Sequence, residues 1–286
     1  MKWGTPRPTQ PIQEKPFHQW TLPGGDHWAV FYRQNGHYLV RLIDLADFLL
    51  TEDGTSVTVY PVPGVSDETI EHLYRNVITP LALSRQHKLV LHGSAVTVGD
   101  YAIAFIGESG RGKSTLAAEF ATSGYSFLTD DGLQIEAAED TFLVHPSHPS
   151  IRLWDDSRKA LIPEETEIAP QIDYTPKARL LADERVAFCK EARQLKYLYF
   201  LGEENSETIS IAPVTGQKVI ANLAKNSFLL DMEEKEMLAH QFGQLAALAR
   251  HPIFFRLDYP RSYADLCEVR EVILKHAREG STTEIE

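Results

Sequence analysis

The chain has 286 residues, 43% of them hydrophobic and 24% charged, which suits one large globular domain or a main domain with a smaller one. Its formal charge of −12 argues against a broad basic face for nucleic acid, and no run of eighteen apolar residues offers a membrane span. The two cysteines, Cys189 and Cys267, stand in no metal-ligand spacing and read as buried free thiols, in keeping with a reducing, cytoplasmic setting.

Residues 1–25 are proline-rich and lack the apolar centre of a secretory signal, so they read as a loose lead-in. Residues 26–87 read as a small β-rich N-terminal domain with a linking helix. WAVFYR, QNGH and YLVRLI form a predicted hairpin turning at Asn35-Gly36; ADFLL, TEDGT and SVTVYPV form a second, turning at Asp53-Gly54. Ser66 is the predicted cap of a helix with Asp67 and Glu68 in its first turn. Ile70, Leu73, Val77 and Leu81 give that helix an apolar stripe, and it is expected to end near His87.

Residues 88–278 read as one larger α/β domain, followed by a polar tail at 279–286. KLVLHGSAVTV and YAIAFIG are two strands joined by a tight turn at Gly99-Asp100, the second apolar throughout, as a buried central strand should be. A glycine-rich loop, a helix to about Ser123 and the short apolar strand YSFLT follow, and LQIEAAEDTFLVHP reads as a hairpin. Residues 155–194 show no clear pattern. QLKYLYFLG, TISIAPV and PIFFRLDY read as strands, and helices are expected near 215–227, 233–250 and 262–278. The acidic runs PEETE (163–167) and DMEEKE (231–236) read as solvated surface.

The run Gly107, Glu108, Ser109, Gly110, Arg111, Gly112, Lys113, Ser114 fits G-x-x-x-x-G-K-[ST] without a mismatch, and Thr115 continues it into the helix. Its glycines let backbone N–H groups turn inward onto phosphate oxygens, and the following helix directs its positive end at them. Lys113 then reaches the β- and γ-phosphates of a nucleotide, and the Ser114 hydroxyl ligates Mg2+. Arg111, inside the loop, reads as exposed. Asp130 and Asp131 stand seventeen residues past the lysine. That interval allows one helix of about three turns and one short strand, a single crossover to a nearby strand. The two acids are thus expected at the carboxyl ends of the strands, beside the loop. There one carboxylate can hold the metal and the other can take a proton from an attacking hydroxyl. His92, on the strand before the loop strand, is expected close by, and Gly93 permits near approach of backbone.

His92-Gly93, the loop Gly107–Ser114 and Asp130-Asp131 together resemble the HPr kinase/phosphorylase family and its wider HPr-kinase-like branch, which includes serine kinases that modify lasso-peptide precursors. The resemblance covers about forty residues; PSIRLW around Arg152 and YPR at 259–261 are similar to the divergent branch. It implies a P-loop kinase domain of the HPr-kinase/PEP-carboxykinase type. It further implies an ATP- and Mg2+-dependent phosphotransferase acting on a serine hydroxyl of a protein or peptide, such as a biosynthetic precursor peptide. Carried over residue by residue, Lys113 holds the phosphates, Ser114 and Asp131 the metal, Asp130 is the general base and His92 lines the acceptor side. Arg152 and Arg261 become candidate clamps for phosphate or acceptor, and a homo-oligomer is one implied state. The family's second signature, an acid before Ile-Arg-Gly, is met here by Ser150-Ile151-Arg152-Leu153. A kinase of small metabolites and a non-catalytic nucleotide-binding module are the two alternative readings.

Overall fold

In the computed structural model, described for residues 1–22, 24–163, 166, 169, 172, 174–202 and 206–280, the chain divides into two units. Both combine sheet and helix, so the protein is of mixed α/β class.

The first unit comprises Met1–Lys88 together with two later segments, Ile172–Thr175 and Phe228–His240. Its six-stranded sheet runs in the order Lys2–Trp3, Val57–Pro61, Ala46–Thr51, His37–Leu42, His27–Gln34, His18–Thr21. The two expected hairpins are present. Residues 1–25, expected to be loose, instead supply both edge strands: Lys2–Trp3 pairs parallel with Thr58 and Val59, and His18–Thr21 pairs antiparallel with the next strand. Backbone pairing there does not depend on the apolar alternation by which sequence reveals a strand. Ala46, Phe48 and Leu50 alternate into the core, while Asp47 faces the other way and takes a two-pronged pair of hydrogen bonds from Arg41 on the adjacent strand, at 2.7 and 2.8 Å.

Ser66 caps the linking helix by accepting from the Thr69 N–H at 3.3 Å. The helix is not continuous to His87. It runs Asp67–Leu73, widens into a π-type turn at Tyr74–Ile78, and resumes at Thr79–Arg85. Pro80 has no N–H to continue the ladder, and the Thr79 N–H bonds back five residues to the Tyr74 carbonyl. Ile70, Leu73, Val77 and Leu81 are buried against the sheet, and Leu230 joins them from the returning segment.

That segment corrects the reading of DMEEKE as solvated at one residue: Met232, Glu233, Lys235 and Glu236 are exposed, but Asp231 is not. Asp231 is 1% exposed; its carboxylate accepts from Arg33 Nη2 (2.7 Å) and Nε (2.8 Å) and from the Tyr38 hydroxyl (3.1 Å). Burial alone raises the pKa of an acid, but these bonds outweigh it and hold Asp231 below the ordinary carboxylate value.

The second unit is built on a mixed sheet in the order Thr141–Val144, Gly132–Ala138, Leu89–Val98, Tyr101–Ile106, Arg193–Leu201, Phe254–Asp258, Ser210–Pro213. Three adjacent strands, Tyr101–Ile106, Arg193–Leu201 and Phe254–Asp258, are parallel. Alternation sends Ile103 and Phe105 to one face, where helices Lys113–Thr122 and Leu266–Glu279 cover them. Ala102, Ala104 and Ile106 go to the other face, packed by Val219 and Leu223 of helix Gln217–Lys225 and by Leu245 and Leu248. Helices on both faces explain why these strands read as apolar throughout. The unreadable stretch after Trp154 contains a short helix, Asp155–Leu161, and a strand, Ala178–Leu181, paired antiparallel with Ser150–Leu153. Most of PEETE and of the polar tail lies outside the described residues. The thiols differ from expectation: Cys189 is half-buried and Cys267 is exposed on the last helix, where its Sγ accepts from Arg270 of the next turn. No helix among the described residues is long and apolar enough to cross a membrane.

Candidate functional site

The buried strand Tyr101–Ile106 ends at Gly107, and the helix Lys113–Thr122 starts six residues later. Gly112 makes the junction. Its φ of +92° lies in the left-handed region, and a Cβ there would stand 2.5 Å from the Tyr259 hydroxyl, so only glycine fits. The loop is held from behind by one residue expected to face the ligand. Arg261 donates from Nη1 to the Arg111 carbonyl (2.6 Å) and from Nη2 to the Gly202 carbonyl (2.7 Å), so its fork bridges the loop to the end of the strand Arg193–Leu201. Arg111 itself is half-buried and pairs with Glu108 at 3.4 Å, while Glu108 also meets Lys225 at 2.5 Å.

Lys113 is 5% exposed and donates to the Gly107 and Glu108 carbonyls at 2.7 and 2.9 Å, curling over the loop. Burial lowers its pKa to about 8, against the opposing pull of Asp131 and Asp130.

The strand Phe127–Thr129, buried throughout, delivers the two acids. It lies one strand away from the loop strand, a single crossover to a nearby strand as expected. Leu89–Val98 lies between the two and is antiparallel to both, so the loop strand and Phe127–Thr129 run in the same direction and end on the same side. His92 and Ser94, two apart on that intervening strand, come with them. Asp130 is 6% exposed. Its Oδ1 accepts from the hydroxyls of Ser94 (2.6 Å) and Ser114 (2.8 Å), and its Oδ2 from the Arg152 N–H (2.9 Å). Asp131, in a left-handed conformation at φ 68°, turns the other way: it pairs with the Arg152 guanidinium and lies 3.8 Å from His92 Nδ1. The two carboxylates therefore titrate apart. Burial, reinforced by Asp131, raises Asp130; burial acts the same way on Asp131, but Arg152, His92 and Lys177 together carry it down to about 2. Burial also lowers His92 to about 4 despite Asp131, so its imidazole is neutral at pH 7.

These groups line one cavity of about 160 Å³. Ser109 to Thr115 form its floor, His92, Asp131, Arg152 and Lys177 one wall, and Ser157, Tyr259, Arg261 and Tyr263 another. Asp130 is not on the lining, but Ser114, which donates to it, and Asp131 are. Sequence reasoning missed Ser94, Ser157, Lys177, Tyr259 and Tyr263. Ser94 carried a readable signal in its two-residue offset from His92 on a strand, and Tyr259 in the run YPR at 259–261. Lys177, half-buried beside Arg152 and the two acids, has its pKa lowered, chiefly by burial.

Ser114 Oγ and Asp130 Oδ1 are also the oxygens suited to a hard cation. Among the described residues no cluster of three His, Cys, Asp or Glu side chains forms a self-sufficient metal cage. Two protein oxygens beside a glycine-rich loop fit Mg2+, which keeps waters and needs few protein ligands.

No family model and no curated protein matches this sequence. Among solved structures, the Hpr(Ser) kinase/phosphatase from Coxiella burnetii is similar to this chain with a TM-score of 0.36 and 9% identity, over 67% of this chain and 98% of that one.

Proposed function

We propose that the protein is a P-loop kinase of the HPr-kinase-like type that transfers the γ-phosphoryl group of ATP to a serine hydroxyl of a protein or peptide. The observation that carries this reading is the meeting, in one cavity, of the glycine-rich loop with Lys113 and an ionised carboxylate, Asp131, while a second carboxylate sits behind on the Ser114 hydroxyl. A cradle alone serves any nucleotide; a carboxylate facing the place where a γ-phosphate would lie supports transfer to a hydroxyl. The resemblance supplies serine and the peptide or protein acceptor.

The geometry favours an exchange of the two acids' roles. Asp130, hydrogen-bonded to Ser114, suits the metal; Asp131, on the cavity wall, suits the acceptor. Ser114, with Asp130 behind it, would hold Mg2+, which would supply positive charge to offset the charge of the donor phosphates. Lys113 would exchange its two loop carbonyls for phosphate oxygens. Asp131 would accept the hydrogen bond of the attacking hydroxyl, orient it in line and take its proton as the new oxygen–phosphorus bond forms and the bond from the γ-phosphorus to the bridging oxygen breaks, releasing ADP. A pKa near 2 makes it a weak base, yet transfer through a loose transition state needs the proton only late, so orientation matters more than basicity. Neutral His92 and Arg152 would hold Asp131 in place.

The test is label transfer. The protein is incubated with Mg2+, γ-labelled ATP and a cell extract split into small molecules, peptides and proteins, with Asp131→Asn as control. Label in the peptide or protein fraction that disappears with the variant is expected. Label in metabolites alone would move the assignment to a small-molecule kinase, and nucleotide binding with no transfer to any fraction would make the chain a binding module.

A further inference from the structure

We propose that Lys177 is a second catalytic lysine, whose ammonium meets the oxygens of the transferring phosphoryl group from the wall of the cavity that faces the acceptor. This rests on the phosphate-donor reading and adds to it a residue that no loop motif requires. The glycine-rich loop and Lys113 form the floor of the cavity, whereas Lys177 lies on the wall with His92, Asp131 and Arg152. The fold fixes that position. The strand Ala178–Leu181 pairs antiparallel with Ser150–Leu153, and the register sets Ala178 against Leu153. One residue further out, Lys177 stands across from Trp154, and its Nζ lies 5.0 Å from the centre of that ring, a cation–π contact. Alternation turns Ile151, Leu153 and Leu180 of this ribbon into the core, and Lys177 shares the other side with Arg152.

Among the described residues, the lysines and arginines that line the cavity divide by task. Arg152 pairs with Asp131, Arg261 bridges the Arg111 and Gly202 carbonyls, and Arg111 pairs with Glu108. The ammoniums of Lys113 and Lys177 come to the same space from different elements. They are close enough to act on each other. Burial is the first cause of the lowered Lys113 pKa, and Lys177 is the foremost charge that lowers it further. Two ammoniums in a cavity of about 160 Å³ repel until an anion lies between them. During phosphoryl transfer, negative charge spreads over three equatorial oxygens, and the loop and Lys113 reach this group from the donor side. Lys177 reaches it from the side of Asp131. The bond from the γ-phosphorus to the bridging oxygen breaks, the bond to the acceptor oxygen forms, and the acceptor proton passes to Asp131. Lys177 keeps its own proton throughout and offsets charge as it moves. An ammonium on a flexible stem, with three donors that can turn, suits a group that travels from donor to acceptor.

The experiment measures single-turnover phosphoryl transfer from γ-labelled ATP by the full chain with Mg2+, to water and to the fractions of a cell extract. ADP affinity is measured alongside by calorimetry. Lys177→Met is expected to lower the transfer rate about 10²-fold or more, the usual cost of losing one group that offsets charge in the transition state. Its ADP affinity should stay within about twofold of the parent's, since ADP lacks the phosphoryl group that Lys177 meets; this also shows that the variant is folded. Lys177→Arg, which keeps the charge beside Trp154, should transfer at least about tenfold faster than Lys177→Met. A parent rate in Lys177→Met overturns the role. So does a loss of rate matched by an equal loss of ADP affinity, which would make Lys177 a prop for the whole cavity. Equal rates in the methionine and arginine variants also overturn it, because charge at the position would then have no use. A parent chain that binds ADP but transfers to neither water nor any fraction overturns the kinase reading and the catalytic lysine together, and one that binds no ADP overturns the donor reading as well.

Discussion

The Ser114 hydroxyl donates to Oδ1 of Asp130 across 2.8 Å, joining the first turn of the loop helix to the end of a strand sixteen residues later in the chain. Ser94 donates to the same oxygen at 2.6 Å, so a single carboxylate atom gathers three elements. Asp130→Asn should weaken that arrangement while leaving Lys113 and the glycines of the loop in place. The Mg2+ concentration needed for half-maximal transfer is expected to rise about 10- to 100-fold, the usual cost of losing a group that orients a metal ligand. A Mg2+ titration tests this; an unchanged Mg2+ requirement would return the metal role to Asp131.

Asp131→Asn should leave donor binding within about twofold and lower the rate of transfer by about 10² or more, as expected for loss of the group that takes the proton. The Arg152 guanidinium would lose its carboxylate, so a stability loss of about 3 kcal/mol is also expected. Asp131→Asn with Arg152→Met separates the two effects: stability should recover while transfer stays lost. Recovery of transfer in the double variant would show that Asp131 matters only as a partner for Arg152.

Arg261 meets the loop through the Arg111 carbonyl, so Arg261→Ala should lower ATP affinity about tenfold by letting the loop relax. Arg261→Lys should fail to restore it, since one ammonium cannot bridge the Arg111 and Gly202 carbonyls as a planar fork does. Full rescue by lysine would mean that positive charge, rather than bridging, is what the position supplies.

The pH dependence of stability should reveal Asp231. Its folded pKa is depressed below the ordinary value of 3.8, so its contribution is fully present above that value and is lost as pH falls below it. Asp231→Asn is expected to melt earlier than the parent at pH 7, by about 1–3 kcal/mol of stability, with the gap closing as the pH is taken below about 4. Melting curves between pH 2.5 and pH 8, in roughly half-unit steps, would show it; a gap of constant size would place the effect in packing rather than charge.

Lys113, Ser114 and the two acids were legible because the residues that meet in space are close in sequence and each fixed position has a chemical reason. What the sequence could not show was which acid faces the cavity. That choice is made by the left-handed turn at Asp131 and by an arginine from another strand. Lys177 and Tyr263 were hidden because an element with no strong periodicity brings each of them from far along the chain. Asp231 was misread for the same reason: its neighbours Glu233, Glu234 and Glu236 suggest solvent, and its partner Arg33 lies 198 residues earlier. Composition reports the local average, whereas burial of one carboxylate depends on a single distant guanidinium.

The return of Phe228–His240 to the first unit also sets an order of events during synthesis. Leu230 completes that unit's core and Asp231 neutralises Arg33, yet both are made about 140 residues after Lys88. At about 5–20 residues per second, the N-terminal sheet would wait roughly 7 to 30 seconds on the ribosome with part of its apolar face uncovered. The nascent chain is thus most vulnerable to misassembly while the second unit, from Leu89 onward, is being translated.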